Sequence, residues 1–299
     1  MDRILPFFFL LLVGQGCRHL KVFPGQTDRS LNLYVIYIAL PALILKRVPG
    51  LHVSAEVLPP LLLPWLTIVC GGLLVILLAN LLRWDRETTG ALLLMVPLGN
   101  TSFFGIPMVE LYFGAEAVRY AVLYDQFGSF LALSTYGAVI LAIYGRNGGR
   151  SPKEIIRSIL LFPPFLALAT ALALQPGFYP SWLDHLLTMA AGSLVPVVFV
   201  AIGFQMEVLL PGYELVPLVT GLFLRLLGVP LIMLLAMQAL SIHSIAARVA
   251  LFETAMPPMV AASALASIAG LKPRLCSGLV GFGIVAAFCT LPLIFRLSG

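Results

Sequence analysis

Charge is scarce in this 299-residue chain. Asp, Glu, Lys and Arg together make up 10% of it, and hydrophobic residues make up 60%. A water-soluble domain of this length needs far more charge to cover its surface, so a soluble fold is excluded. Stretches 57–82, 88–109, 158–183, 186–206 and 275–295 hold no Asp, Glu, Lys or Arg at all. At ~1.5 Å rise per residue, each is long enough to cross a ~30 Å hydrocarbon core. Cysteine is also rare. Cys17, Cys70, Cys276 and Cys289 are scattered and form no C-x-x-C pair. They read as small apolar residues, not as disulfides or metal ligands. The four histidines lack metal-ligand spacing. H-E-x-x-H, G-x-S-x-G and a phosphate-binding loop are all missing, so the chain carries no common signature of an enzyme.

What is present is a series of apolar spans. We count ten, at about 3–19, 30–46, 57–82, 88–112, 117–144, 154–175, 183–206, 213–240, 246–270 and 275–297. The N-terminus has a short basic start but no A-x-A cleavage site, so it is kept as the first span. The net charge of +5 does not point to nucleic acid. In a membrane protein, basic residues collect in cytoplasmic loops.

Two spans break the rules for a membrane helix in the same way. One contains Gly99-Asn100-Thr101-Ser102-Phe103-Phe104-Gly105-Ile106-Pro107, the other Glu253-Thr254-Ala255-Met256-Pro257-Pro258-Met259. An opened backbone at membrane depth is tolerated only where it is buried or lines a cavity. Paired interruptions in corresponding halves point to a carrier's binding site. Asn100, Thr101 and Ser102 supply caps and polar ligands. A half-helix starting beyond them would aim free N–H groups and a positive dipole end at an anion. Pro257 and Pro258 lack N–H groups, so carbonyls near residues 253 and 254 are expected to lose their helical donors. An ordinary Pro/Gly kink is the plainer reading of either break.

The halves share punctuation. Pro41 precedes Pro196 by 155 residues, and Asn100 precedes Pro257 by 157. Five spans per half is odd, so the second half inserts upside down. The expected plan is an all-α membrane protein of two inverted five-helix repeats, 1–146 and 154–299, joined by a short cytoplasmic loop at 147–153, with the fourth and ninth helices broken and crossing. Lys and Arg number eleven in the odd-numbered loops and six on the other side. The richer side is cytoplasmic, which puts both termini outside the cell (inner) membrane.

Asp125, Arg225 and Glu253 are the charged residues lying well within spans. A charge at the bilayer centre costs ~2.5–3.5 kcal/mol on insertion scales, so each needs a partner or a wet cavity. Asp125, with Gln126 beside it, reads as a proton or cation site, or else as a carboxylate held by local polar groups or Arg119. Glu253 reads as a Na⁺ or proton site, or else as a kink residue bonded to its own loop. Arg225 reads first as structural, paired with Glu207 or Glu214 or reaching toward a wet surface. The alternative is a positive charge for an anionic substrate.

The motif Val96-Pro97-Leu98-Gly99-Asn100-Thr101-Ser102-Phe103-Phe104-Gly105-Ile106-Pro107, with Leu111-Tyr112-Phe113-Gly114, Ala121-Val122-Leu123-Tyr124-Asp125-Gln126 and Glu253-Thr254-Ala255-Met256-Pro257-Pro258, resembles the auxin efflux carrier family in its bacterial form. Ala39-Leu40-Pro41-Ala42-Leu43-Ile44 fits as well, and the likeness covers essentially the whole chain. The resemblance implies a panel domain and a transport domain with two crossing broken helices. It implies transport of small organic anions, such as auxin in plants and dicarboxylates in bacteria. It would set Asn100, Pro257 and Pro258 where a substrate carboxylate binds. The plant carriers have Gln near the place of Glu253 and a long central loop; this chain has Glu253 and a short loop. The related bile-acid sodium symporters carry a Glu at a similar place.

These readings converge on a secondary transporter of small organic anions working by alternating access. Asn100, Thr101, Ser102, Gln126, Pro257 and Pro258 are the candidate substrate ligands, and Asp125 and Glu253 the candidate ion-coupling groups, with protons at Asp125 preferred, Na⁺ at Glu253 as the rival and a carrier without a coupling ion as the third option. No cofactor is expected beyond a coupling H⁺ or Na⁺. The expected partners are the organic anion and membrane lipid, with a homodimer left open. A sodium-coupled symporter of the bile-acid type is the first alternative, and an anion channel or solute sensor the second. Tyr124-Asp125 and Pro41-Ala42-Leu43 also resemble elements of intramembrane aspartyl proteases. That chemistry needs a second Asp in a G-x-G-D element, which is missing, and the order of the two elements is reversed. The basic-residue count predicts that a Cys placed at Asn147, with the native cysteines changed to Ser, escapes an impermeant maleimide in intact cells and reacts after lysis. Labelling of intact cells would reverse the orientation.

Overall fold

The computed structural model describes residues 5–49, 55–145, 152–174, 178–205 and 214–299. Its helices in chain order are α1 (Leu5–His19), α2 (Arg29–Arg47), α3 (Leu58–Leu82), α4 (Arg86–Met95), α5 (Ile106–Phe113), α6 (Ala115–Tyr144), α7 (Pro152–Leu160), α8 (Pro163–Ala173), α9 (Ser181–Phe204), α10 (Leu215–Ala239), α11 (Ile245–Thr254), α12 (Val260–Ile268) and α13 (Pro273–Leu297). Of these, α2, α3, α6, α9, α10 and α13 are each long and apolar enough to cross a membrane. Among the described residues no β-strand forms. The central loop at 147–153 lies outside the described residues except for Pro152 and Lys153, and Glu207 lies outside them too.

The exterior is apolar. On α3, Leu62, Leu66, Val69, Leu73 and Leu77 recur at helical spacing and are all more than half exposed. The opposite face buries Leu63, Thr67, Ile68, Gly71, Val75 and Ala79. A greasy stripe turned outward opposite a packed one belongs against lipid, where exposing leucine costs nothing.

Prolines set several boundaries. The sixth span, expected to run unbroken over 154–175, is divided into α7 and α8 around Leu161 and Phe162. Pro163 and Pro164 remove two consecutive N–H donors, so the helix must restart there with prolines in its first turn. Pro64 stays inside α3. Gly128 of α6 packs against its ring so closely that a Cβ would overlap it. Trp65 Nε1 donates to the Phe127 carbonyl at 3.2 Å at the same place.

Wider π-turns interrupt α2 at Val35–Ala39, α6 at Asp125–Phe130 and Leu133–Gly137, and α10 at Leu224–Gly228; another, Thr101–Gly105, leads into α5. Such turns recur at functional sites because they re-aim side chains. Two of them carry Asp125 and Arg225.

Helices α1, α2, α8 and α9 pack on one another. The contact between α1 and the second half of α9 depends on two glycines. A Cβ on Gly14 would strike the Val200 carbonyl, and one on Gly203 the Leu11 carbonyl. Small residues let membrane helices approach backbone to backbone, where dispersion replaces the missing hydrophobic drive. Phe7 meets Phe199 edge-on in the same seam, with centroids 4.9 Å apart. Tyr34 Oη bonds Ser193 Oγ at 2.8 Å between α2 and α9, and Lys46 pairs with Asp184. Helices α3, α6, α10 and α13 pack around α4, α5, α11 and α12, and α7 touches α6 and α8. There Asp85 caps α4 by accepting from the Thr88 N–H at 2.7 Å, and its other oxygen lies 3.0 Å from Lys272 Nζ. Burial works against the Asp85 charge, but the bonds from Thr88 and Lys272 outweigh it and hold the carboxyl below its usual range.

The glycine seam makes a prediction. Gly203→Val should force α1 off α9 and cost ~1–3 kcal/mol, the usual range for overpacking. Thermal unfolding of the purified protein in detergent measures it, and a variant as heat-stable as wild type would show that the seam is not close-packed.

Candidate functional site

The two sequence interruptions meet. Helix α4 ends at Met95 and α11 at Thr254. Beyond each the chain leaves the helix through a turn, and Gly99 and Pro258 face each other in an isolated antiparallel bridge. The Asn100 N–H donates to the Pro257 carbonyl at 2.8 Å, and the Met259 N–H donates to the Leu98 carbonyl at 3.0 Å. Each break thus supplies the hydrogen bonds that the other lost. This is the requirement for non-helical backbone away from water.

The carbonyl of Glu253, expected to stand free before the proline pair, instead accepts from the Met256 N–H at 3.2 Å. The last turn of α11 tightens to i→i+3 bonding, a common way to satisfy orphan carbonyls at a helix end. Thr254 Oγ1 donates back to the Leu251 carbonyl at 2.6 Å within the same turn.

Asp125 is 1% exposed. Its Oδ1 accepts from Thr101 Oγ1 at 2.6 Å and Ser102 Oγ at 2.5 Å, and its Oδ2 from Gln126 Nε2 at 2.6 Å. The opening turn of the half-helix therefore already has an acceptor carboxyl, supplied by the protein. Thr101 and Ser102 have committed their hydroxyl protons to it. Arg119, considered as a partner, pairs with Glu116 instead.

Glu253 has the opposite character. It is 0% exposed and neither carboxylate oxygen has a hydrogen-bond partner. It lies against Gly105, where a Cβ would overlap the carboxylate, and within electrostatic reach of Asp125 and Arg225. Among the other buried polar atoms without a partner are two from candidate site residues, Nδ2 of Asn100 and Oε1 of Gln126. Leaving buried polar groups unsatisfied costs ~1–3 kcal/mol each, so such groups invite an explanation. The group consists of three acceptor oxygens and one amide donor.

Arg225 is 1% exposed and bonds to no described carboxylate. Of its two proposed partners, Glu207 lies outside the described residues. Glu214 sits elsewhere, near Lys272 and Cys276. The guanidinium goes to backbone carbonyls at both breaks. The sequence marked Arg225 as a buried charge but offered no sign that carbonyls more than a hundred residues away would receive it.

A cavity of about 710 Å³ opens between α1 and α9 on one side and α12 and α13 on the other. Its lining includes Arg18, Lys21, Ser263, Ser267, Ser277 and Val260, the first residue of α12 just beyond the proline break. Phe104, in the turn after the first break, packs on Phe199 of α9 and Phe288 of α13, each with centroids 5.5 Å apart. The breaks therefore sit where the two groups of helices touch.

Lipid-facing spans, an opened backbone held at depth and buried unpaired polar groups beside it define an integral membrane transporter. The comparisons agree. A family model described as a membrane transport protein matches residues 1–154 and 150–295. The chain belongs to that family, the auxin efflux carriers. An uncharacterized transporter of Methanothermobacter thermautotrophicus is 26% identical over 298 residues, 98% of this chain and 96% of that protein. Another, from Methanocaldococcus jannaschii, is 28% identical over 218 residues, 69% of each chain.

The Asp125 cluster gives a stability prediction. Asp125→Ala strands the hydroxyls of Thr101 and Ser102 and should cost ~1–3 kcal/mol in thermal unfolding. Asp125→Asn should cost less, because an amide oxygen still accepts. Equal stability of all three proteins would remove the anchoring role.

Proposed function

We propose that the protein is a secondary carrier of small organic anions, and not an enzyme, coupled to a cation through Glu253. The observation that carries this reading is the Glu253 carboxylate, 0% exposed with both oxygens unpartnered beside the meeting of the two breaks. Acceptor oxygens without donors suit a cation, either Na⁺ or a proton. Asp125 is the weaker coupling candidate, because its oxygens already accept three bonds. Asn100 Nδ2, the unpartnered donor, is the natural contact for the substrate anion, with Pro257 and Pro258 shaping the wall beside it. The cavity lined by Arg18, Lys21 and three serines offers an anion a route to that region.

In this reading the chain forms ten spans in two inverted repeats. The helix group of α1, α2, α8 and α9 is the panel against which the other helices move, and the termini lie outside the cell membrane. A cation is needed because accumulating an anion against an inside-negative potential costs ~2.3 kcal/mol per charge per 100 mV. A channel or sensor is the competing class, and a bile-acid-type sodium symporter is the same reading with Na⁺ at Glu253.

The test is uptake of a panel of labelled organic acids into proteoliposomes under imposed Na⁺ or pH gradients. The expected outcome is gradient-driven accumulation that saturates with substrate and shows counterflow. Glu253→Gln should lose accumulation yet keep counterflow, and Asn100→Ala should weaken binding with the fold intact. Accumulation by neither gradient, together with normal transport by Glu253→Gln, would end the coupling proposal. Flux without saturation or counterflow would mark a channel.

A further inference from the structure

Arg225 is placed where a charge is hardest to keep. It sits in the π-turn Leu224–Gly228 of α10 and is among the largest fully buried side chains of the protein. A guanidinium there faces a large desolvation penalty unless its donors are used. Nε donates to the Met256 carbonyl at 2.7 Å. Nη1 donates to the carbonyls of Val96 and Pro97 at 3.2 and 3.1 Å. These carbonyls follow the C-terminal ends of α11 and α4, where helical donors have run out. Each helix end carries about half a negative charge from its macrodipole. Two such ends pointing at one place repel each other, and together they amount to about the one charge that a guanidinium carries.

Gly99 completes the arrangement. A Cβ at this position would overlap the guanidinium, so the bridge residue that faces Pro258 must be glycine for Arg225 to reach across. Arg225 does not line the cavity, and the Nη2 end of its guanidinium lies where a Gly99 Cβ would stand. Its Nε and Nη1 are committed to backbone carbonyls, which gives it a structural use of its charge.

We propose that Arg225 is a positioning residue that staples the C-terminal ends of the two interrupted helices to each other and to α10, with Gly99 as its required gap. The staple fixes the register in which Asn100 meets Pro257. It thereby sets the site assigned above without contacting its ligand, and makes the two breaks and α10 move as one body. Lysine cannot replace it, since a single ammonium lacks the planar fork that reaches both helix ends at once. The arrangement of the staple is independent of what the protein transports, although its consequence for transport rests on the carrier reading.

The experiment is amide hydrogen exchange on the purified full-length protein in detergent, read by mass spectrometry over 98–100 and 257–260. These peptides hold the Asn100 and Met259 amides that bond across the meeting. Arg225→Gln and Arg225→Lys should both speed their exchange roughly tenfold or more while peptides from α3 keep the wild-type rate. Gly99→Ala, which displaces the guanidinium while leaving it in the chain, should do the same. The double variant Gly99→Ala with Arg225→Gln should exchange no faster than the quicker of the two single variants, because both remove one interaction. Wild-type exchange in Gly99→Ala, full rescue by lysine, or fully additive effects would each overturn the staple. Should Arg225→Gln fail to fold, Gly99→Ala decides alone. Because exchange is read without substrate, a failed transport assay leaves this result standing, and the reverse also holds.

Discussion

Everything at the centre of this protein depends on satisfying opened backbone without water. Each interrupted helix gives up hydrogen bonds in a place where lipid offers none. The two breaks repair one another through Asn100 with Pro257 and Met259 with Leu98. That leaves charge to settle. Arg225 meets carbonyls past the two helix C-termini, and Asp125 meets hydroxyls at the start of the half-helix that follows. Opposite charges answer opposite dipole ends. Glu253 is what remains over, a buried carboxylate that the protein does not satisfy by itself.

Two glycines make this possible by leaving room for charge. Gly99 gives way to Arg225 and Gly105 to Glu253. In both pairs the glycine lies in the first interruption and the charge more than a hundred residues later. A side chain at either glycine would push a charged group into apolar surroundings, which is far costlier than the usual loss of a packing contact. Elsewhere glycine serves a plainer purpose, as at Gly14 and Gly203, where it brings α1 and α9 together.

The surrounding helices give the centre its setting. Aromatic contacts from Phe104 to Phe199 and Phe288 tie the first break to helices on either side. The Arg47–Glu110 ion pair, 2.9 Å between atoms, joins α2 to α5. The cavity lies between the same helix groups, with basic residues in its lining. The structure thus places some of its polar and charged contacts where the groups touch and leaves the exposed helix faces to aliphatic and aromatic side chains.

The sequence by itself determined the membrane class, most of the apolar helices and both interruptions, because these are local properties. Hydropathy, proline and the run of Gly, Asn, Thr and Ser act on the residues that carry them. It also marked Asp125, Arg225 and Glu253, since a charge inside an apolar run is visible without any fold. Where local chemistry was overlooked, as with Pro163 and Pro164 in the sixth span, the signal was still present in the letters. The tertiary structure alone decided which charge is satisfied and which is not. Arg225 turned to carbonyls and not to Glu214, and Asp125 took hydroxyls from the other side of α5. Backbone carbonyls belong to every residue and leave no mark in a sequence, so only the packing of distant segments could show where those partners lie.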